Sequence, residues 1–281
     1  MWNDYRKTME NNKMIKLDEF RNGFINKHPY NDVDGICADY FEYYSQNGEE
    51  GVLEKIFNTL DIHKGLFINA GCDDINDHSN VRRLVSLFGW NGLFIEPNTP
   101  YLRLGQENIQ KDDRIIDKNA FYYHNGFLSI NKEEERLPNI INQYIDGEAV
   151  DLLTLKIDSY EYWVLQDFLQ SKYDAKVILV GYNSSLTDCI TSPKNINPKL
   201  GHKSITDNFY GASFTAIDKL MQSNEFELIS ICRPNNLIYI NKQFNNGKFY
   251  VYDKVIEDDY YFEVKKGHGV RQHIKTGWVT V

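Results

Sequence analysis

The sequence predicts an open, doubly wound α/β sheet, mostly parallel, with an antiparallel strand near the C-terminus. Three observations predict it. Short apolar runs alternate with helix-period segments from residue 52 onward. The run DLLTLKID over 151–158 is apolar nearly throughout, as in parallel strands covered by helices on both faces. Two apolar runs, 226–232 and 237–240, are separated only by Arg233-Pro-Asn-Asn236, a turn that joins antiparallel neighbours.

Residues 1–44 are polar with aromatic punctuation and read as a helical arm laid over the core. From Ser45 the pattern sharpens: Val52, Leu53, Ile56, Phe57 and Leu60 recur at helical spacing. A first strand over 66–69 follows, then a helix marked by Val81, Leu84, Val85, Leu87 and Phe88. A second strand over 93–96 leads to a helix over 101–109, and a short third strand is expected over 114–116. Residues 121–130 alternate about Asn125-Gly126, the sequence signal of a hairpin. A polar, Glu-rich stretch over 131–147 precedes the DLLTLKID strand. Tyr162, Val164, Leu165 and Phe168 mark the next helix, and 177–180 the next strand. The segment 183–208 has no periodicity, and a loop of that length inside a compact domain reads as a functional lid or a disordered segment. A helix over 211–224 then leads into the two final strands. The chain divides as an arm over 1–44, a main domain over 45–242 and an extension over 243–281, whose aromatic tail is expected to cap a neighbouring subunit in a homo-oligomer.

Composition limits the partners. With 42% hydrophobic residues in 281, the chain can bury one large core. A formal charge of -9 and the lack of a dense Lys/Arg run argue against nucleic acid, so a small or neutral acceptor is expected. Cys37, Cys72, Cys189 and Cys232 show no C-x-x-C spacing, which reads as reduced thiols in a cytoplasmic protein. No apolar run approaches membrane-spanning length, so no membrane span is expected.

The most informative stretch is 65–97. An apolar run stops at Asn69-Ala70-Gly71-Cys72, a helix-length segment follows, and a second apolar run stops at Glu96-Pro97. A strand, turn, helix and strand of this kind wrap an adenosine-bearing ligand, with Glu96 accepting from both ribose hydroxyls. No second or third glycine follows Gly71 in G-x-G-x-x-G spacing, so nothing is built to cradle a pyrophosphate. That disfavours a nicotinamide-dependent oxidoreductase. An adenosyl ligand without phosphates fits better, and S-adenosyl-L-methionine (SAM) is the commonest. Asn69, Glu96, Asn119, Asp158 and Asn183 stand at predicted strand ends and would line one crevice. The cluster Asp73, Asp74, Asp77 and His78 reads as a solvated turn, and no metal is expected there.

Several words of the sequence resemble the FkbM-type family of SAM-dependent methyltransferases. They are SQNGEEGVLEKIF over 45–57, Gly71 with Asp74 and Ser79-Asn80, GWNGLFIE over 89–96, DLLTLKID over 151–158 with Glu161-Tyr162, Gly181 to Ser185, and Tyr210-Gly-Ala-Ser213. The resemblance covers 45–242 in unbroken order. It implies a class I methyltransferase, Rossmann-like fold and methyl transfer, usually to oxygen on a sugar, a surface polysaccharide or a related polar metabolite.

On that resemblance, Glu96 and Pro97 hold the ribose side of the cofactor, Asp74, Ser79 and Asn80 its carboxylate, and Asn119 and Ala120 its adenine. Asn69, Gly71 and Asp158 complete the cofactor set. Methyl transfer is an in-line displacement at a sulfonium carbon, so the protein supplies alignment and, for a hydroxyl acceptor, a base. Asp158 is the first catalytic candidate, Asn183 and Ser184 would orient the acceptor, and Tyr210 and His202 on the lid are further candidates. The sequence departs from the family in three places. Asn69 replaces an acid and cannot pair with the cofactor's ammonium. Ile75 replaces a glycine, adding a side chain where backbone is expected to approach the ligand. Ser159-Tyr160 follows Asp158 where the family has glycine. Asn69 and Ile75 motivate the alternative of a catalytically inactive SAM-binding scaffold.

Overall fold

The computed structural model describes residues 43–147, 149–184, 186, 188–195, 211–232, 235–252 and 277–281. Most of the N-terminal arm, much of the 183–208 loop with His202, and Tyr210 lie outside the described residues.

Among the described residues the elements are α1 (Glu49–Thr59), β1 (Leu66–Ala70), α2 (Arg82–Phe88), β2 (Asn91–Ile95), α3 (Thr99–Lys111), β3 (Phe121–His124), α4 (Leu137–Tyr144) and β4 (Ala149–Leu155). They continue as α5 (Glu161–Leu169), β5 (Asp174–Gly181), β6 (Ile190–Thr191), α6 (Phe214–Ser223), β7 (Phe226–Cys232), β8 (Asn236–Asn241), α7 (Lys242–Asn245) and β9 (Val279–Thr280). Seven strands form one sheet in the order β3-β2-β1-β4-β5-β8-β7. All neighbours from β3 to β5 pair in parallel, and β8 runs antiparallel between β5 and β7. This is the open, doubly wound, mostly parallel Rossmann-like arrangement, with an antiparallel strand near the C-terminus, that the sequence predicts.

The sheet is doubly wound because successive strand residues face opposite sides. Ile68, Leu153 and Ile178 pack on one face with Leu137, Ile140 and Ile141 of α4, Val164, Leu165 and Phe168 of α5, and Ile217 and Met221 of α6. Phe67, Leu152 and Leu179 pack on the other with Leu53, Ile56 and Phe57 of α1, Leu84 and Val85 of α2, and Leu102 and Ile109 of α3. Both faces being covered explains why β4 and β5 lack polar alternation.

Two expectations are corrected. No strand forms over 114–116, and 121–130 is not a hairpin. The third strand is β3 itself, which pairs in parallel with β2 in the register Gly92 with Phe121 to Ile95 with His124. Asn125 is held instead by tertiary bonds: its Nδ2 donates to Glu96 O at 2.8 Å and its Oδ1 accepts from Thr99 Oγ1 at 2.7 Å. The polar stretch over 131–147 contains a helix the sequence reading does not foresee, α4, whose Leu137, Ile140 and Ile141 are fully buried.

The last described residues return to their own chain. Ile190 and Thr191 of β6 pair with Thr280 and Val279 of β9, and Val281 O accepts from Lys219 Nζ at 3.0 Å. No helix among the described residues is long and apolar enough to cross a membrane.

Candidate functional site

The strand order reverses between β1 and β4, and ligands of open α/β sheets gather beyond the carboxyl ends of strands at such a point. A cavity of about 420 Å³ lies there. Its walls come from the ends of β1, β2 and β4 and from the loop after β3.

Asn69, on β1, is buried and accepts a hydrogen bond from Thr154 Oγ1 at 2.6 Å, which orients its amide at the cavity wall. Gly71 also lines the cavity, with φ of 78°. The sequence assigns it to close ligand approach, yet the tightest constraint on it is protein. A Cβ there would stand 1.8 Å from the carbonyl oxygen of Lys156, so the β1 turn and the β4 extension touch backbone to backbone.

Glu96 follows β2 and is 5% exposed. Its Oε1 accepts from Asn98 N at 2.8 Å and its Oε2 from Asp73 N at 3.2 Å. Two loop amides thus fix the carboxylate against the cavity, where Pro97 and the exposed ring of Tyr101 adjoin it. A fixed acidic acceptor at the end of the second strand suits a vicinal diol.

Ser79 and Asn80 are buried and line the same wall. Ser79 Oγ accepts from Arg82 N at 3.2 Å, so this serine also steadies the start of α2. Asp74 is not part of the cavity wall: its Oδ1 accepts from the amides of Asn76 at 2.9 Å and Asp77 at 2.8 Å, closing a turn. Among the described residues no three His, Cys, Asp or Glu side chains converge as metal ligands.

Ile75 does not obstruct the cleft. Its φ is 59°, and its side chain is fully buried against α3, where Gly105 leaves room. A Cβ on Gly105 would lie 2.6 Å from Ile75 Cδ1.

Asn119 and Ala120 lie apart from the cavity, because they precede β3 and so sit at its amino end. The third strand on which that expectation was placed is not formed, and β3 begins only after these two residues. The residues that line the cavity after β3 are Gly126, Phe127 and Leu128, with Asn125 tying their loop to Glu96. The sequence signal was available in Phe121 to His124, read there as one arm of a hairpin.

Asp158 stands at the cavity mouth, half-buried, with φ of 62°. Left-handed backbone at a non-glycine residue costs about 1–2 kcal/mol. Glu161 holds it there: its Oε1 accepts from Ile157 N at 3.0 Å and from Asp158 N. Asp158 does not cap α5, whose N-cap is Tyr160. Burial, reinforced by the negative charge of Asp158, pushes the Glu161 carboxyl up to about 7, against the lowering effect of those amides. Asn183 is buried beside this corner, its N–H donating to Ala212 O at 2.7 Å, but it does not line the main cavity. Glu161 is the site residue the sequence reading leaves without a role.

The arrangement offers a diol acceptor at Glu96, amide and hydroxyl groups at Asn69, Ser79 and Asn80, and a carboxylate at Asp158 across the cleft. No protein-family model and no curated protein matches the chain. Among solved structures it is similar to the N-terminal domain of EvdMO1 with SAH and D-fucose, at 9% identity over 79% of this chain and 96% of that one, TM-score 0.43. It is similar to a SAM-dependent methyltransferase from Methanosarcina mazei, at 11% identity over 66% and 96%, TM-score 0.40. It is also similar to the METTL16 methyltransferase domain, at 8% identity over 70% and 69%, TM-score 0.45. At these identities and scores the likenesses assign no activity, and the fold rests on the chain's own strand order.

Proposed function

We propose that the chain is a SAM-dependent O-methyltransferase of the FkbM type, acting on a sugar, a glycan such as surface polysaccharide, or a related small polar metabolite. The observation that carries the reading is the cavity at the strand-order reversal, with Glu96 fixed at the end of β2 and Asp158 on the opposite lip. Its volume of about 420 Å³ suits a nucleoside-sized ligand. Glu96 would hold the ribose hydroxyls, while Asn69, Gly71, Ser79 and Asn80 would receive the methionyl end. Gly126 to Leu128 would bound the adenine. The bound cofactor supplies an electrophilic methyl group. The chain's own residues orient the two reactants, exclude water from the cleft and take up a proton near Asp158.

The alternative of an inactive scaffold keeps one specific support, Asn69 in place of an acid. Ile75 no longer supports it, since its side chain packs away from the cavity. The experiment is transfer of isotope-labelled methyl from SAM to a panel of sugars, nucleotide sugars and oligosaccharides. The reading expects label in at least one acceptor and loss of transfer in Asp158→Ala. Bound cofactor without transfer to any acceptor favours the scaffold, and absence of cofactor binding removes both readings.

A further inference from the structure

The carboxyl ends of β4 and β5 enclose a second, water-sized cavity of about 20 Å³ beside the cleft. Lys156 and Asp158 belong to the walls of both. Glu161 lines only the smaller one and is 2% exposed. Its Oε1 is engaged by the amides of Ile157 and Asp158, whereas its Oε2 is buried without a hydrogen-bond partner. Two glycines border this carboxyl. A Cβ on Gly211 would stand 3.5 Å from Oε2, and one on Gly181 would stand 3.6 Å from Oε1. Native interiors seldom leave a carboxyl oxygen unpartnered, because the lost solvation is not recovered. A donor entering this cavity supplies the missing bond.

We propose that this small cavity receives the nucleophilic hydroxyl of the acceptor, and that Glu161 Oε2 takes its proton as the methyl group is transferred. The inference rests on the methyltransferase reading and adds a catalytic residue to it. In the step, the acceptor's O–H bond breaks and its proton passes to Glu161. The oxygen forms a bond to the methyl carbon, and the S–CH3 bond breaks with its electron pair retained by sulfur. The sulfonium becomes a neutral thioether and the carboxylate becomes a carboxylic acid, so charge and atoms balance. Asp158 and Lys156 are the charged groups facing Glu161 from the β4 extension. Tyr182 faces it from the end of β5, and Gly211 and Asn235 complete the wall without charge.

An anionic Glu161 attracts the sulfonium of SAM and has no such effect on the thioether of S-adenosylhomocysteine. Calorimetric titration of the whole protein with each compound therefore tests the proposal without a known acceptor. The ratio Kd(SAH)/Kd(SAM) is expected to rise about fivefold between pH 6 and pH 8 in the wild type, from loss of one proton close to a cation. Glu161→Gln, which keeps an acceptor for the two loop amides, is expected to flatten that rise while leaving SAH affinity within about twofold. A pH-independent ratio in the wild type, or a rise that persists in Glu161→Gln, overturns the inference. A crystal structure of the wild-type protein with SAH provides a second measurement independent of the variant. Ordered solvent on Glu161 Oε2, with the sulfur open to it, is expected; a sulfur facing elsewhere or a side chain filling the cavity overturns the proposal. Where SAH and SAM both bind but the ratio is flat, only this inference falls. Where neither binds, the methyltransferase reading falls with it.

Discussion

Glu96 is placed by two short contacts that no periodicity announces, from the amides of Asp73 and Asn98. The acid itself was legible, because a carboxylate ending the second apolar run has a defined partner in this fold. Glu96→Gln is expected to weaken SAH binding about tenfold to a hundredfold, the worth of a charge-assisted hydrogen bond. Calorimetry checks it. Gly71 was legible as a turn, but its closest neighbour was not: the Lys156 carbonyl comes from 85 residues along the chain. Gly71→Ala is expected to destabilise the fold by more than about 2 kcal/mol, since strained φ and a backbone clash add. Denaturant unfolding reads this directly. Glu161 stayed without a role because a carboxyl in the first turn of a helix is ordinarily a solvated dipole partner. Only the fold shows it turned inward to hold Asp158.

The β1–α2 loop and the loop after β3 show how an element's neighbours decide what a residue does. Ile75 stands where backbone approach to the ligand was expected, yet Gly105 on α3 gives its side chain a place in the core. Ile75→Gly is therefore expected to cost about 2–5 kcal/mol of stability, as for loss of a buried branched side chain, with SAH affinity within twofold of wild type. Thermal unfolding and calorimetry on the same variant separate the two effects. After β3, Asn125→Ala is expected to weaken SAH binding more than Asn119→Ala, because only Asn125 is tied to Glu96. Equal affinities in the two variants would contradict the corrected strand. The misreading has a physical origin: Asn-Gly after an aromatic run signals a two-strand turn, and the competing parallel partner, β2, lies 29 residues upstream in the register of Ile95 and His124. At the end of α3, Asp112 joins Arg82, Arg114 and Ser86. Burial would raise its carboxyl, but the bonds from Arg114 and Ser86 prevail and hold it at about 2. Its stabilisation is present above the ordinary value of 3.8 and lost as pH falls through about 2. Removing Asp112 would strand Arg82, whose side chain is almost fully buried.

Across the whole molecule, alternating runs made the sheet and its two covered faces legible, since burial on both sides leaves an uninterrupted apolar strand. Helix α4 was not, because its apolar residues Leu137, Ile140 and Ile141 fill only two turns between polar flanks. Two of the buried carboxyls among the described residues, Glu50 and Glu161, are each pushed by burial from 4.5 up to about 7. Between those values the unfolded chain releases a proton that the folded chain keeps. Their contribution to stability is therefore full below pH 4.5 and lost as pH rises through about 7, at up to about 1.4 kcal/mol per pH unit for each group. The melting temperature is expected to be higher at pH 5 than at pH 7.5, and the Glu50→Gln, Glu161→Gln double variant is expected to lose that slope. A steeper rise toward pH 7.5 would contradict the assignment. The central claim is that the cleft at the strand-order reversal clasps an adenosyl cofactor through Glu96. Calorimetric titration of SAH into the wild type and Glu96→Ala tests it most directly. Saturable one-site binding in the wild type and affinity at least about tenfold weaker in the variant are expected; no binding to the wild type, or equal binding to both, would contradict this role of Glu96.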